Sequence, residues 1–211
     1  MSGVRSVPAG PPVRPRPRTL SEARDRARGC RRCDLWRRAT QTVFGEGRKK
    51  ARFMLVGEQP GDVEDKAGEP FVGPAGQLLR EALAEAGIQL ADVYLTNAVK
   101  HFKWEPRGKR RIHARPDRGE VAACRVWLDA EIALVTPRAI VALGATAAAA
   151  LLGPGVRVTR DRAQPIESSL APFVTVTVHP SSILRAPDSE SRAAARSQFV
   201  ADLRAIAKRV P

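Results

Sequence analysis

The sequence predicts an α/β fold, three α/β/α layers around a central parallel sheet of about four strands. Three observations carry this expectation. Four short apolar runs, at 52–57, 93–99, 139–144 and 173–178, lack the alternation of half-exposed strands, as expected of strands covered on both faces. The segments between them repeat apolar residues at helical spacing, and alternating strands and helices imply parallel pairing with helices on both sides. The polar, Gly-rich and His-bearing segments all follow directly after strands, which is where such a sheet holds its ligand.

In chain order, residues 1–19 are rich in Pro, Gly and Arg with almost no aliphatic material and read as a disordered basic tail. Residues 20–211 read as one domain. A helical stretch at 21–38 is interrupted by Gly29-Cys30-Arg31-Arg32-Cys33. After the first strand, 58–74 reads as a loop punctuated by Gly61, Gly68 and Gly73. Leu78, Leu79, Ala82, Leu83 and Ala86 then share one face of a helix at 75–86, and Gly87 stops it. The second strand runs into 100–118, KHFKWEPRGKRRIHARPDR, which Pro106, Gly108 and Pro116 mark as a loop. Asp117 with Glu120 forms a capping-box start to a helix through 135, whose inner stripe is Val121, Cys124, Trp127/Leu128, Ile132 and Val135. A small-residue helix at 145–152 follows the third strand. The fourth strand ends at His179-Pro180-Ser181-Ser182, and Phe199, Leu203 and Ile206 mark a last helix at 189–209.

The chain of 211 residues has a formal net charge of +14. That charge is concentrated. In 100–118 eight cations (Lys100, Lys103, Arg107, Lys109, Arg110, Arg111, Arg115, Arg118) oppose only Glu105 and Asp117, and 1–20 adds four arginines and no acid. Clustering of this kind points to a polyanionic partner. No apolar run reaches membrane-spanning length and no signal-peptide core precedes the domain, so the expectation is a cytoplasmic monomer with no membrane partner. Three cysteines in such a setting argue against disulfides and leave metal binding or plain burial. Cys30-x-x-Cys33 has metal-ligand spacing, and Cys124, on the inner stripe of its helix, also suits a buried structural thiol.

The order of motifs resembles the iron–sulfur uracil-DNA glycosylases, the family 4 and 5 members of the uracil-DNA glycosylase superfamily. The residues that carry this are Gly57-Glu58-Gln59-Pro60-Gly61, then Gly68-Glu69-Pro70-Phe71-Val72-Gly73-Pro74-Ala75-Gly76, then Tyr94-Leu95-Thr96-Asn97-Ala98-Val99-Lys100, and the late His179-Pro180-Ser181-Ser182. The likeness runs from about Cys30 to the last helix. Family 4 enzymes hold a 4Fe-4S cluster on four cysteines. Here His101 stands at the third of those positions and Cys124 at the fourth, so the resemblance implies a cluster held by Cys30, Cys33, His101 and Cys124, imidazole replacing one thiolate as in Rieske centres. His101 also suits phosphate contact in a basic loop. The insertion Gly108-Lys109-Arg110-Arg111-Ile112-His113, together with Gln59 in the first motif, resembles the UdgX subgroup, whose members excise uracil and remain covalently joined to DNA through the histidine of the Arg-Arg-Ile-His loop.

The resemblance implies roles that the residue types can fill. Uracil must leave the base stack to be reached, at a cost of about a few kcal/mol. Phe71 is the candidate platform for the flipped base, and the Asn97 amide can both accept from N3–H and donate to O4. His179 is expected to bond uracil O2 and stabilise the departing anion. Glu58 holds the acidic position and His113 is the expected nucleophile, with Glu58 orienting or deprotonating it. Gly57, Gln59, Lys109, Arg110, Arg111 and Ser181 complete the expected substrate contacts, the basic residues on phosphate. DNA containing uracil, preferentially single-stranded, is the expected partner. Two other readings remain open on the sequence: a multiple-turnover glycosylase with water activated by Glu58, and a non-catalytic iron–sulfur DNA-binding module. A nucleotide-phosphate loop at Gly57–Gly61 is weaker, because neither GxxxxGK[ST] nor GxGxxG is present.

Overall fold

The computed structural model describes residues 16–210; most of the expected basic tail lies outside the described residues. Helix α1 (Leu20–Arg28) starts at Thr19, whose hydroxyl accepts from Glu22 N–H, and is followed by a short 3₁₀ turn at Asp34–Arg37. Strand β1 (Phe53–Gly57), helices α2 (Asp62–Ala67) and α3 (Pro74–Glu85) and strand β2 (Val93–Asn97) come next. A ribbon of β3 (Trp104–Arg107) and β4 (Arg110–His113) precedes α4 (Arg118–Val135), β5 (Ala139–Leu143), α5 (Ala145–Leu152) and the single turn α6 (Val158–Asp161). Strand β6 (Phe173–Thr177), α7 (Pro180–Leu184) and α8 (Ser189–Arg209) complete the chain.

The central sheet has the order β2-β1-β5-β6 and every pairing in it is parallel. Alternate residues of one strand feed opposite layers. Phe53 and Leu55 pack with Leu79 and Leu83 of α3 and Phe199, Leu203 and Ile206 of α8, whereas Met54 and Val56 pack with Leu128 and Ile132 of α4 and Leu151 of α5. Both faces being covered is why these runs read as continuously apolar. Among the described residues no helix is long and apolar enough to cross a membrane.

Two expectations need correction. The basic stretch is not all loop: β3 and β4 form an antiparallel ribbon turning at Gly108, whose φ is +59°. Its strands are largely exposed and highly charged, so they lack the alternation that reveals a strand in sequence. The glycine-punctuated loop at 58–74 contains α2, closed by Gly68 at φ +81°.

A second buried centre has a polar middle. Lys100 and Glu131 have no exposed side-chain surface, and their charges meet at 2.5 Å. Lys100 Nζ also donates to Thr96 Oγ1 (2.6 Å) and the Asn97 carbonyl (2.7 Å), while Glu131 Oε1 accepts from Gly45 N–H (2.8 Å) and Tyr94 Oη–H (3.2 Å). One ion pair thus ties α4, β2 and the 43–46 segment together. Burial and the nearby Glu131 charge hold the Tyr94 phenol far above its ordinary pKa, so it stays a donor.

Candidate active site

The cleft beyond the carboxyl ends of the strands has a volume of about 690 Å³ and is lined by Glu58, Gln59, Phe71, Asn97, His113, His179 and Ser181 among others. The sheet itself brings them together. Gly57 at the end of β1 is paired with Asn97 at the end of β2, so Glu58 and Asn97 emerge side by side. Gly57 has to lack a side chain, because a Cβ would collide with Asn97 Oδ1 and lie 2.8 Å from the Phe71 ring.

Phe71 sits with φ +57°, a backbone state costing about 1–3 kcal/mol for a non-glycine residue. Its neighbours hold it there. A Cβ on Gly76 would run into the Phe71 backbone, and Glu64 accepts from Gly61 N–H (3.1 Å) and Gly73 N–H (2.8 Å), pinning both ends of the segment that carries Phe71. The Phe71 and His179 rings are stacked, 6.1 Å between centres and 28° between planes.

His179 caps α7: its Nδ1 accepts the Ser181 backbone N–H at 3.1 Å and lies 2.8 Å from Ser181 Oγ. The neutral ring therefore carries its proton on Nε2. Burial first, and then the neighbouring Arg185 and His113, push the imidazole pKa down to about 4. At neutral pH His179 is an uncharged N–H donor at the cleft. Ser181 orients this ring and also accepts from Arg185 (3.1 Å).

His113 lies at the end of β4 with its ring half exposed, and its Nε2 is 3.3 Å from Glu58 Oε1. The Phe102 ring lies tilted to it, 6.2 Å between centres. Gln59 and Arg111, both expected on substrate, are spent inside the protein. Gln59 donates to the carbonyls of Lys103 (3.1 Å) and Ala114 (3.0 Å) and accepts from Lys103 N–H (3.0 Å). It staples the two ends of the ribbon that presents His113. Arg111 pairs with Asp62 (2.5 Å) and Asp65 (2.7 Å), anchoring the same ribbon to α2. The hydrogen bond from Lys66, and then Arg111, hold the Asp62 carboxyl below its usual pKa.

The charge of 100–118 is therefore less free than the sequence implies. Lys100 is buried against Glu131, Lys103 reaches Glu120 (2.8 Å) and Asp117 (3.4 Å), and Arg115 donates to Thr146 (3.1 Å). Lys109 and Arg110 remain exposed at the ribbon's turn, outside the cleft lining. Glu64, Arg115, Thr146 and Arg185 line the cleft and escaped sequence reasoning. Arg115 was visible only as one more cation, and Arg185 carried no signal.

Cys30, Cys33 and Cys124 are free thiols: Cys30 and Cys124 belong to one buried cluster with Phe44, Val99 and Trp127, and the half-buried Cys33 packs against it. Cys30 Sγ accepts from Trp127 Nε1–H and Cys124 Sγ from Lys100 N–H, both at 3.2 Å. Such N–H···S bonds are those that tune thiolate ligands. Burial pushes the Cys124 thiol up to about 12, so a metal would have to displace a proton there. His101 is also buried, its Nε2 2.9 Å from Thr42 Oγ1. Among the described residues no three His, Cys, Asp or Glu side chains converge as they would on a single ion. Thiols and an imidazole are the donor types an iron–sulfur cluster takes.

The family model described as "Uracil DNA glycosylase superfamily" matches residues 44–204. The chain is 43% identical over 169 residues to a type-4 uracil-DNA glycosylase of Thermotoga maritima, spanning 80% of this chain and 84% of that protein. It is 37% identical over 191 residues to a type-4 uracil-DNA glycosylase of Pyrobaculum aerophilum, spanning 87% of this chain and 91% of the other.

Proposed function

The chain belongs to the uracil DNA glycosylase superfamily, and on that premise we propose that it excises uracil from DNA, favouring single strands, and then remains joined to the abasic sugar through His113, as the UdgX subgroup does. The observation that carries the covalent step is the 3.3 Å approach of His113 Nε2 to Glu58 Oε1 at the cleft, on a ribbon fixed at both ends by Gln59.

The flipped uracil enters between Phe71 and Asn97, where the ring supplies a stacking face and the amide reads N3–H and O4. The C1′–N1 bond breaks with both electrons leaving on uracil, and His179 Nε2–H donates to O2 as negative charge develops there. Because His179 is neutral, its own contribution to stabilising the anion is a hydrogen bond. The cationic C1′ is then captured by the His113 imidazole, held in place ahead of diffusing water. The new C1′–N bond uses the imidazole lone pair. The ring's proton passes to Glu58 and through solvent to the departing uracil, so charge and protons balance. Among the described residues no group in the cleft is placed to expel the imidazole again, and the enzyme stops after one turnover. Exposed Lys109 and Arg110 contact phosphate. Cys30, Cys33, His101 and Cys124 would hold a 4Fe-4S cluster, whose contribution is to clamp the segments flanking the ribbon.

The test is to mix the protein with a uracil-containing single strand and resolve the products on a denaturing gel. A heat- and detergent-stable shifted band, absent in His113→Ser, supports the proposal. Free abasic product in excess of enzyme with no shifted band would replace it with water activated by Glu58.

A further inference from the structure

Beside the ribbon lies a surface that the cleft chemistry does not use. Arg31 stacks over the Trp36 ring with its guanidinium carbon 3.9 Å from the ring centre. Two residues beyond Trp36, Arg38 lies over the Trp104 ring with its guanidinium carbon 4.9 Å from the centre, and the Arg38 carbonyl accepts from Trp104 Nε1–H at 2.9 Å. Trp104 is the register partner of His113 across β3 and β4, so their side chains leave the ribbon on the same side, with Cβ atoms about 4.5–5.5 Å apart. The stacked series therefore starts at the Cys30–Cys33 segment and ends next to the proposed nucleophile.

The guanidiniums in this series are held but not neutralised. Arg31 makes a long bond to the Cys30 carbonyl (3.4 Å) and Arg38 spends its charge on the Trp104 face. Among the described residues neither has a carboxylate within ion-pair distance, whereas Arg37 between them is paired with Asp34 (2.8 Å). Stacking on an indole fixes the plane of an arginine at little further entropic cost and leaves its outward N–H groups free. Planar donors fixed in this way match phosphate oxygens.

The geometry points to a rail for the single-stranded DNA flanking the uracil nucleotide, with Arg31 and Arg38 as phosphate ligands and Trp36 and Trp104 as their supports. This rests on the proposed activity and adds to it a second contact region, outside the cleft, that lengthens the strand the protein can grip. The alternative is an Arg–Trp surface that merely packs, in which case it contributes nothing to DNA affinity.

The experiment compares wild type with Arg31→Ala/Arg38→Ala by fluorescence anisotropy, on labelled uracil-free single strands, one short and one long, across a salt series. Wild type is expected to bind the long strand more tightly and with a steeper salt dependence. The double variant should lose that length advantage, its log–log salt slope falling by about 0.7 for each lost phosphate contact. Arg38→Lys, which keeps the charge but not the stacked plane, should retain most of the slope. Far-UV circular dichroism confirms that the variants fold. Equal wild-type affinity for both strands, or an unchanged slope in the double variant, would overturn the rail. Adduct formation on a short uracil strand is scored separately. Its absence would count against the covalent mechanism and leave the rail to be judged on its salt slope alone.

Discussion

Replacing Glu131 by Gln changes one atom in a buried network, and the structure says what that atom costs. Oε1 receives Gly45 N–H at 2.8 Å and the Tyr94 and Thr96 hydroxyls, and Oε2 receives Lys100 Nζ at 2.5 Å. An amide can face this set in two ways, and both bring donor against donor: NH₂ meets the Lys100 ammonium, or it meets the Gly45 backbone. Hydroxyls can rotate to accept, but neither of those groups can. Lys100, with no exposed surface, is also left without its counter-charge. Breaking a buried ion pair from one side costs about 3–5 kcal/mol, against a total stability of about 5–15 kcal/mol. Glu131→Gln should therefore lower the urea midpoint sharply and the melting temperature by roughly 6–20 °C, at about 2–4 °C per kcal/mol for a chain of this size. Pairing it with Lys100→Met removes the orphaned charge and should recover part of the loss. The assay is equilibrium urea unfolding of wild type, both single variants and the double. A loss below about 1 kcal/mol in Glu131→Gln, or a double variant as unstable as the sum of its parts, would refute the reasoning.

Other perturbations test the cleft. Gly57→Ala forces a methyl into Asn97 Oδ1 and the Phe71 ring and should abolish uracil excision while leaving binding to uracil-free strands intact; retained excision would deny that these groups hold the base. Gln59→Ala releases both ends of the ribbon, so single-turnover assays should show free abasic product rising relative to adduct, whereas an unchanged ratio would mean the ribbon stays in place without it. His179 has its pKa depressed to about 4 from an ordinary 6.5. Between those values the unfolded chain binds the extra proton and the folded one does not, so stability falls as pH drops through this window. Its contribution is up to about 3 kcal/mol, reached at pH 4. His179→Asn should flatten that part of the stability–pH curve, and an unchanged slope would show that the ring is not held neutral. His101→Ser and Cys124→Ser should lose crosslinking together with any iron–sulfur absorbance, and full crosslinking without that absorbance would sink the clamping role of the cluster.

The sheet was legible because its strands are covered on both faces, which leaves uninterrupted apolar runs such as Phe53–Gly57 and Ala139–Leu143. Helix α4 was legible from Asp117 and Glu120, whose reciprocal cap is present at 2.9 and 2.7 Å. The ribbon was not. Its residues are held by partners distant in sequence, Gln59, Asp62 and Asp65, and not by an apolar face of their own. The same cause misled the reading of single residues. Lys100 and Arg111 look like members of a basic patch, yet one is wholly buried and the other is held by two carboxylates. Gln59 was expected on substrate, but its amide serves the protein backbone. The Glu58–His113 approach depends on where the ribbon docks, and no local pattern encodes that. Arg38 and Trp104 are far apart in the chain, so their stacking was equally invisible.

The most direct test of the account is peptide mass mapping of protein incubated with a uracil-containing single strand and then digested with nuclease and protease. One modified peptide is expected, carrying a deoxyribose remnant on His113, in an amount matching the uracil released. An unmodified His113 peptide, with uracil released in excess of enzyme, would contradict it.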